Sequence, residues 1–114
     1  MLYRIIIEKV TETTYRDHVR QNVFARAGIV HSDFLHVDQV YQNVAEGCDP
    51  VRDEDGNVAC RKKNIYSFPA IGSPDNGAYT TSGDLDRFIR VVKAGELLSP
   101  GLTETFLTPQ VDCR

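Results

Sequence analysis

The sequence has 114 residues, of which 41% are apolar and 25% charged, and its 16 carboxylates against 13 lysines and arginines leave a net charge of -3. That is enough chain for one domain with a modest core, and too apolar a chain for disorder. No run of about 18 apolar residues occurs, so no membrane-spanning helix is predicted. The acidic balance offers no basic face for nucleic acid.

Residues 2 to 11 form the first predicted helix, because Leu2, Ile5, Ile6, Lys9 and Val10 repeat with a period near 3.6. No capping residue precedes it. Met1 to Glu8 does not read as a signal peptide, since its apolar stretch is short and no small-residue cleavage site follows. Thr14 opens a second helix, with Asp17 at the acidic position of a capping box. Tyr15, Val19, Val23 and Phe24 form its apolar stripe, and Gly28 is its left-handed stop.

Residues 29 to 72 are predicted to be irregular around a single hairpin with arms 43–52 and 58–67. Asp55-Gly56 at its tip suits a type I′ turn. Pro69, Gly72 and Pro74 then keep the chain out of regular structure. Thr81 to Asp84 signals a third helix with Leu85, Phe88, Ile89 and Val92 on one face, ended by Gly95. Ser99-Pro100 starts a fourth, whose predicted buried side is Leu102, Phe106 and Leu107 and whose stop is Pro109. The predicted class is mainly α, with about four helices and one small β-ribbon.

Chemistry-bearing motifs are sparse. Cys48, Cys60 and Cys113 leave at least one thiol unpaired; a Cys48–Cys60 bridge across the hairpin is one reading and two free thiols are the favoured one. His31 and His36 lie near Asp33 and Asp38, but without metal-ligand spacing a solvated loop is the better reading. Tyr41-Gln42-Asn43 and Lys93-Ala94-Gly95 look like the Tyr-x-Asn and Lys-Thr-Gly signatures of penicillin-recognising serine enzymes. Those enzymes also need a lysine three residues after the nucleophilic serine. None follows Ser32, Ser67, Ser73, Ser82 or Ser99 at that spacing. Both tripeptides read as chance matches, the second being a helix end.

A longer pattern carries more. The runs Ile6 to Thr11, Tyr15 to Phe24 and Ala27 to Ile29, then Val44 to Pro50, Ser73 to Phe88, Gly95 to Pro100 and Leu107 to Gln110, occur in one order. In that order they resemble the class C beta-lactamase-like serine hydrolases, which include penicillin-binding-protein homologues, D-amino-acid peptidases and esterases. The resemblance covers residues 1–111 as a partial beta-lactamase-like segment, with 112–114 as a tail. It implies the helical part of the beta-lactamase/transpeptidase-like fold and part of the cleft rim. A full member is much longer, with Ser-x-x-Lys and Tyr-x-Asn before the matched region and a His/Lys-x-Gly strand after it.

The resemblance therefore implies an acyl-transfer hydrolase of lactams, amides or esters, with no catalytic residue and no cofactor or metal in this chain. It places Asn76, Gly77 and Ala78 on the substrate rim; a turn glycine is an equal reading of Gly77. The family has glycine where Glu12 stands, and a glycine pair where Asn76-Gly77 stands. A small-molecule substrate is implied only for a full-length parent. The alternative is a non-catalytic module that binds protein or itself, because helix faces left bare favour a homo-oligomer. A hydrolase built on Ser73 or Ser82 with His31 or His36 has no support from spacing.

Overall fold

A computed structural model describes residues 2–74 and 76–111. Four helices and a two-stranded antiparallel ribbon make up its regular structure. These residues gather into two compact units. One is helical and combines Leu2–Asp33 with residues 80–111; the other is Phe34–Tyr79, mostly loop around the ribbon.

In the helical unit, α1 spans Leu2–Thr11. An Arg4–Glu8 ion pair one turn apart (2.9 Å) supports it. Glu8 also accepts the Tyr15 amide at 3.1 Å, which ties α1 to the start of α2. The turn between them puts Glu12 at φ 55, where the resemblance expects glycine. Thr14 caps α2 as its sequence predicts, accepting the Asp17 amide at 3.2 Å and donating its hydroxyl to the Asp17 carboxylate at 2.7 Å.

Helix α2 covers residues 15–27 but is not uniform. Its α-helical ends, Tyr15–Val19 and Ala25–Ala27, flank a π turn over Arg20–Phe24. Gly28 closes it at φ 64. The Gly28 amide reaches the Ala25 carbonyl (3.2 Å) and the Ile29 amide the Phe24 carbonyl (2.9 Å), the paired bonds of a Schellman motif. A Cβ on Gly28 would lie 2.9 Å from Nε of Arg87, the same nitrogen that donates to the Ala27 carbonyl at 3.0 Å. The α2 C-terminus is thus met by a cation, as its dipole favours.

Helix α3, Ser82–Lys93, is capped by Thr81, which accepts the Asp84 amide at 3.2 Å. It ends at Gly95 in a second Schellman pair, Gly95 to Val92 and Glu96 to Val91. Helix α4, Pro100–Leu107, has Ser99 as cap and proline in its first turn. Ala27, Ile29 and Val92 form the buried apolar centre of this unit.

The predicted helix faces need correcting in one respect. Leu102, Phe106 and Leu107 remain 59%, 62% and 48% exposed, and α4 instead buries Thr103. On α3, Val92 is buried and Phe88 half-buried, while Leu85 and Ile89 stay exposed. Helix α1 buries no residue at all. Periodicity marks a face that requires cover; it does not supply the cover.

In the second unit, β1 is Cys48–Arg52 and β2 is Val58–Lys63. Their register pairs Cys48 with Lys63, Pro50 with Arg61 and Val51 with Cys60, and slips by a bulge after Val51. Both arms are shorter than predicted. Residues 65–67 turn into a 3-10 helix instead, and Asn43 sits at φ 58 outside the ribbon. The turn also differs from type I′, which needs two left-handed residues. Only Gly56 is left-handed (φ 85), and the Gly56 amide donates to the Asp53 carbonyl at 3.0 Å. This is a three-residue loop, a tight turn followed by a left-handed glycine.

Candidate functional site

The Phe34–Tyr79 unit holds a cavity of about 380 Å³. Its walls come from three stretches: the loop 36–47, the turn 64–69 that follows β2, and residues 77–79. Antiparallel pairing of His36 with Ile71, with the Val37 amide on the Ala70 carbonyl at 3.0 Å, draws the first two stretches together. The Asn64 amide on the Gly47 carbonyl (3.1 Å) closes the junction with the ribbon.

Residues 77–79 are placed by a tight turn and a glycine contact. Ser73 and Asn76 exchange backbone hydrogen bonds of 2.8 and 3.2 Å. Gly77 follows at φ 90, and a Cβ there would lie 2.8 Å from the Gly72 Cα. A Cβ on Gly72 would in turn meet the Gly77 carbonyl oxygen at 2.5 Å and the Phe34 ring at 2.7 Å. Gly77 is thus both a left-handed residue and a close-approach residue.

Of the three residues singled out on the rim, Gly77 and Ala78 line the cavity, while Asn76 does not. Composition gave no warning of the other walls. Val37, Val40, Tyr41 and Val44 stand at the i, i+3, i+4, i+7 spacing of a helix face. The chain there is loop, so that period misleads, and Ile65 and Phe68 join them only through tertiary pairing.

The polar groups of the wall are bonded within the unit, to each other and to the ribbon. The Tyr41 hydroxyl donates to Gln39 Oε1 at 2.8 Å and accepts the His36 amide at 3.2 Å. Asn64 Nδ2 donates to Asp49 at 3.1 Å. Glu46 is held by Lys63 Nζ at 2.7 Å, a bond that raises the Lys63 pKa.

The remaining chemistry-bearing residues fall elsewhere. Lys93 and Gly95 form the end of α3, as the helix-end reading has it. Cys48 and Cys60 are free and exposed, and the register places each opposite a different residue. Cys113 lies outside the described residues. Among the described residues no three of His, Cys, Asp or Glu converge as a metal site would need.

Ser32 bonds to two side chains. Its hydroxyl lies 2.8 Å from the Thr80 hydroxyl and donates to Asp84 at 2.8 Å. Asp84 is only 6% exposed and also accepts the His31 amide at 2.7 Å. Burial works against the Asp84 carboxylate, but the bonds from Ser32 and from the His31 and Val30 amides outweigh it and hold its pKa below the ordinary range. The group ties the first turn of α3 to the His31–Ser32 segment.

No family model and no curated protein matches the chain. Among solved structures, a penicillin binding protein from Bacillus halodurans is similar to it, with a TM-score of 0.85 and 35% identity over 97% of this chain and 33% of that one. The chain spans about a third of the length of that protein. Its helices and ribbon therefore have the fold of a penicillin-binding-protein segment, a piece of beta-lactamase-like architecture.

Proposed function

We propose that the chain is a segment of a beta-lactamase-like serine hydrolase that contributes helical scaffold and a substrate-side rim, but no nucleophile. The parent reaction is acyl transfer: a serine attacks a lactam, amide or ester carbonyl, and backbone amides stabilise the oxyanion. The observation that carries the reading is the 35% identity to a penicillin binding protein along 97% of this chain. Gly77 and Ala78, which line the cavity, are the rim residues in this reading, together with the adjoining Asn76.

Two experiments test it. In the first, this chain replaces the aligned third of the Bacillus halodurans protein, and the chimera is incubated with a fluorescent penicillin. Covalent labelling supports the reading; a folded chimera that takes no label overturns it. In the second, the chain alone and a triple Cys→Ser variant are incubated with the same penicillin and a nitrophenyl ester. No serine adduct is expected by intact mass, because no lysine stands three residues after any serine. A stoichiometric serine adduct in the cysteine-free variant would contradict the missing nucleophile.

A second reading is favoured by the bare faces of α1, α3 and α4: a non-catalytic module that self-associates or binds another protein. An unlabelled chimera together with a stable oligomer of the chain would support it.

A further inference from the structure

We infer that Asn76 is a self-modification site, which the Gly77 amide converts through a cyclic imide to isoaspartate or aspartate. Asparagine is chemically labile where the next residue leaves its backbone amide uncovered. The chain has five asparagines, and Asn22, Asn43, Asn57 and Asn64 are each followed by valine or isoleucine. Those β-branched side chains crowd the amide that would have to attack. Asn76 alone is followed by glycine, which has no Cβ to shield it.

The fold leaves both reacting groups available. Asn76 is exposed, and neither its side-chain amide nor the Gly77 N–H has a hydrogen-bond partner among the described residues. The Asn76 carbonyl accepts the Ser73 amide at 2.8 Å, which draws electron density from the Asn76–Gly77 peptide and eases loss of its proton to water. The deprotonated Gly77 nitrogen bonds to Asn76 Cγ; the Cγ–Nδ2 bond breaks, and Nδ2 takes up a proton and leaves as ammonia. Water then opens the ring. Cleavage at the main-chain carbonyl gives isoaspartate, and cleavage at Cγ gives aspartate. Asp55-Gly56 has a similar pattern, but its glycine amide is held by the Asp53 carbonyl at 3.0 Å, and a carboxylate is a poorer electrophile than an amide.

The two products differ in what they do to the fold. Aspartate adds a negative charge and leaves the backbone as it is. Isoaspartate also inserts a methylene into the main chain next to Gly77. The site has no room for it, since even a Cβ on Gly77 would lie 2.8 Å from the Gly72 Cα. Isoaspartate therefore drives the two glycines apart and displaces residues 77–79, one of the three stretches that wall the cavity. None of this depends on the parent reaction.

The test ages the whole chain at neutral pH beside a synthetic peptide of residues 73–80, and follows both by peptide mapping and by labelling with an isoaspartyl methyltransferase. Asn76 in the folded chain should react within about tenfold of the peptide's rate, while the other asparagines and Asp55 stay intact. A slower reaction, or one led by another residue, would overturn the assignment. Asn76→Gln should remove the product, because its ring would have six members and closes far more slowly; undiminished labelling of that variant would overturn it too. The isoaspartate form, separated by ion exchange, should show moved amide signals at Gly72 and Tyr79 and unmoved ones in the four helices. Asn76→Asp carries the same charge on an ordinary backbone and should leave Gly72 and Tyr79 near their parent positions. Equal displacement in the two would overturn the claim that the added methylene moves the wall.

Discussion

A side chain at φ 55 carries a backbone cost that glycine avoids, and Glu12 stands there between α1 and α2. Glu12→Gly should raise stability by about 0.5 to 1 kcal/mol, the relief of strain exceeding the added freedom of the unfolded chain. An unchanged or lower denaturation midpoint would contradict it. Asp84 makes the opposite kind of residue-level contribution. Its folded pKa is held below the ordinary 3.8, so its carboxylate stabilises the folded chain at neutral pH. That contribution falls away as pH drops through the folded value. Asp84→Asn should therefore unfold more readily at neutral pH, and the gap from the parent chain should close as pH falls below 3.8. A gap that stays constant down to about pH 2 would show that the charge is not what matters. Residues of this kind were unevenly legible. Glu12 stood out because glycine was expected there, whereas Asp84 read only as a capping acid. Its bonds to His31 and Ser32 span more than fifty positions, and no local pattern encodes them.

At the scale of elements, helix ends were legible and helix interiors less so. Thr14, Thr81 and Ser99 all cap as their hydroxyls suggest, and Gly28 and Gly95 both stop a helix in the left-handed conformation. Caps are local chemistry, satisfied by amides two or three residues away. The π turn in α2 was not legible, because its five residues have ordinary helical propensity and preserve the apolar stripe. A π turn is an α-helix with one residue inserted. Deleting the exposed Gln21 should convert it to a regular helix with both ends in phase, at a cost below about 1 kcal/mol. Deleting the exposed Asp86 from regular α3 should cost far more, since it rotates Phe88 and Val92 away from Asp84. Thermal midpoints of the two deletions check this, and comparable losses would overturn it. The ribbon was legible as a hairpin but not in extent. Asp55-Gly56 marks a turn without determining whether one or both residues become left-handed.

The whole molecule buries little of its apolar surface. Ala27, Ile29, Phe34 and Val92 are its buried apolar residues among those described, while the faces of α1 and α4 lie open. The second reading of function makes a direct claim here: the purified chain should be dimeric or larger, with Leu2, Ile5, Ile6 and Val10 of α1 among the covered residues. Light scattering that finds a monomer at high concentration, with no dye binding to apolar surface, would count against it. The cavity was the least legible feature at this scale. Residues 77 and 78 were reachable through the resemblance, but the other walls come from stretches joined only by tertiary backbone pairing.

The chain leaves the helical unit and re-enters it at one place, where the Ser32 and Thr80 hydroxyls lie 2.8 Å apart. In topological terms Phe34–Tyr79 is a cassette inserted into a discontinuous host. During synthesis α1 and α2 emerge before the cassette and must wait for all of it before Asp84 and Arg87 arrive to secure the α2 C-terminus. The cassette also sets the entropy of closing the host, a cost that grows only with the logarithm of its length. Replacing residues 34–79 by a few glycines should leave a chain that keeps the α1 to α4 helicity by circular dichroism and folds faster than the parent. The host would thus accept cassettes of other lengths, and the cavity could be exchanged without redesigning the helices that carry it.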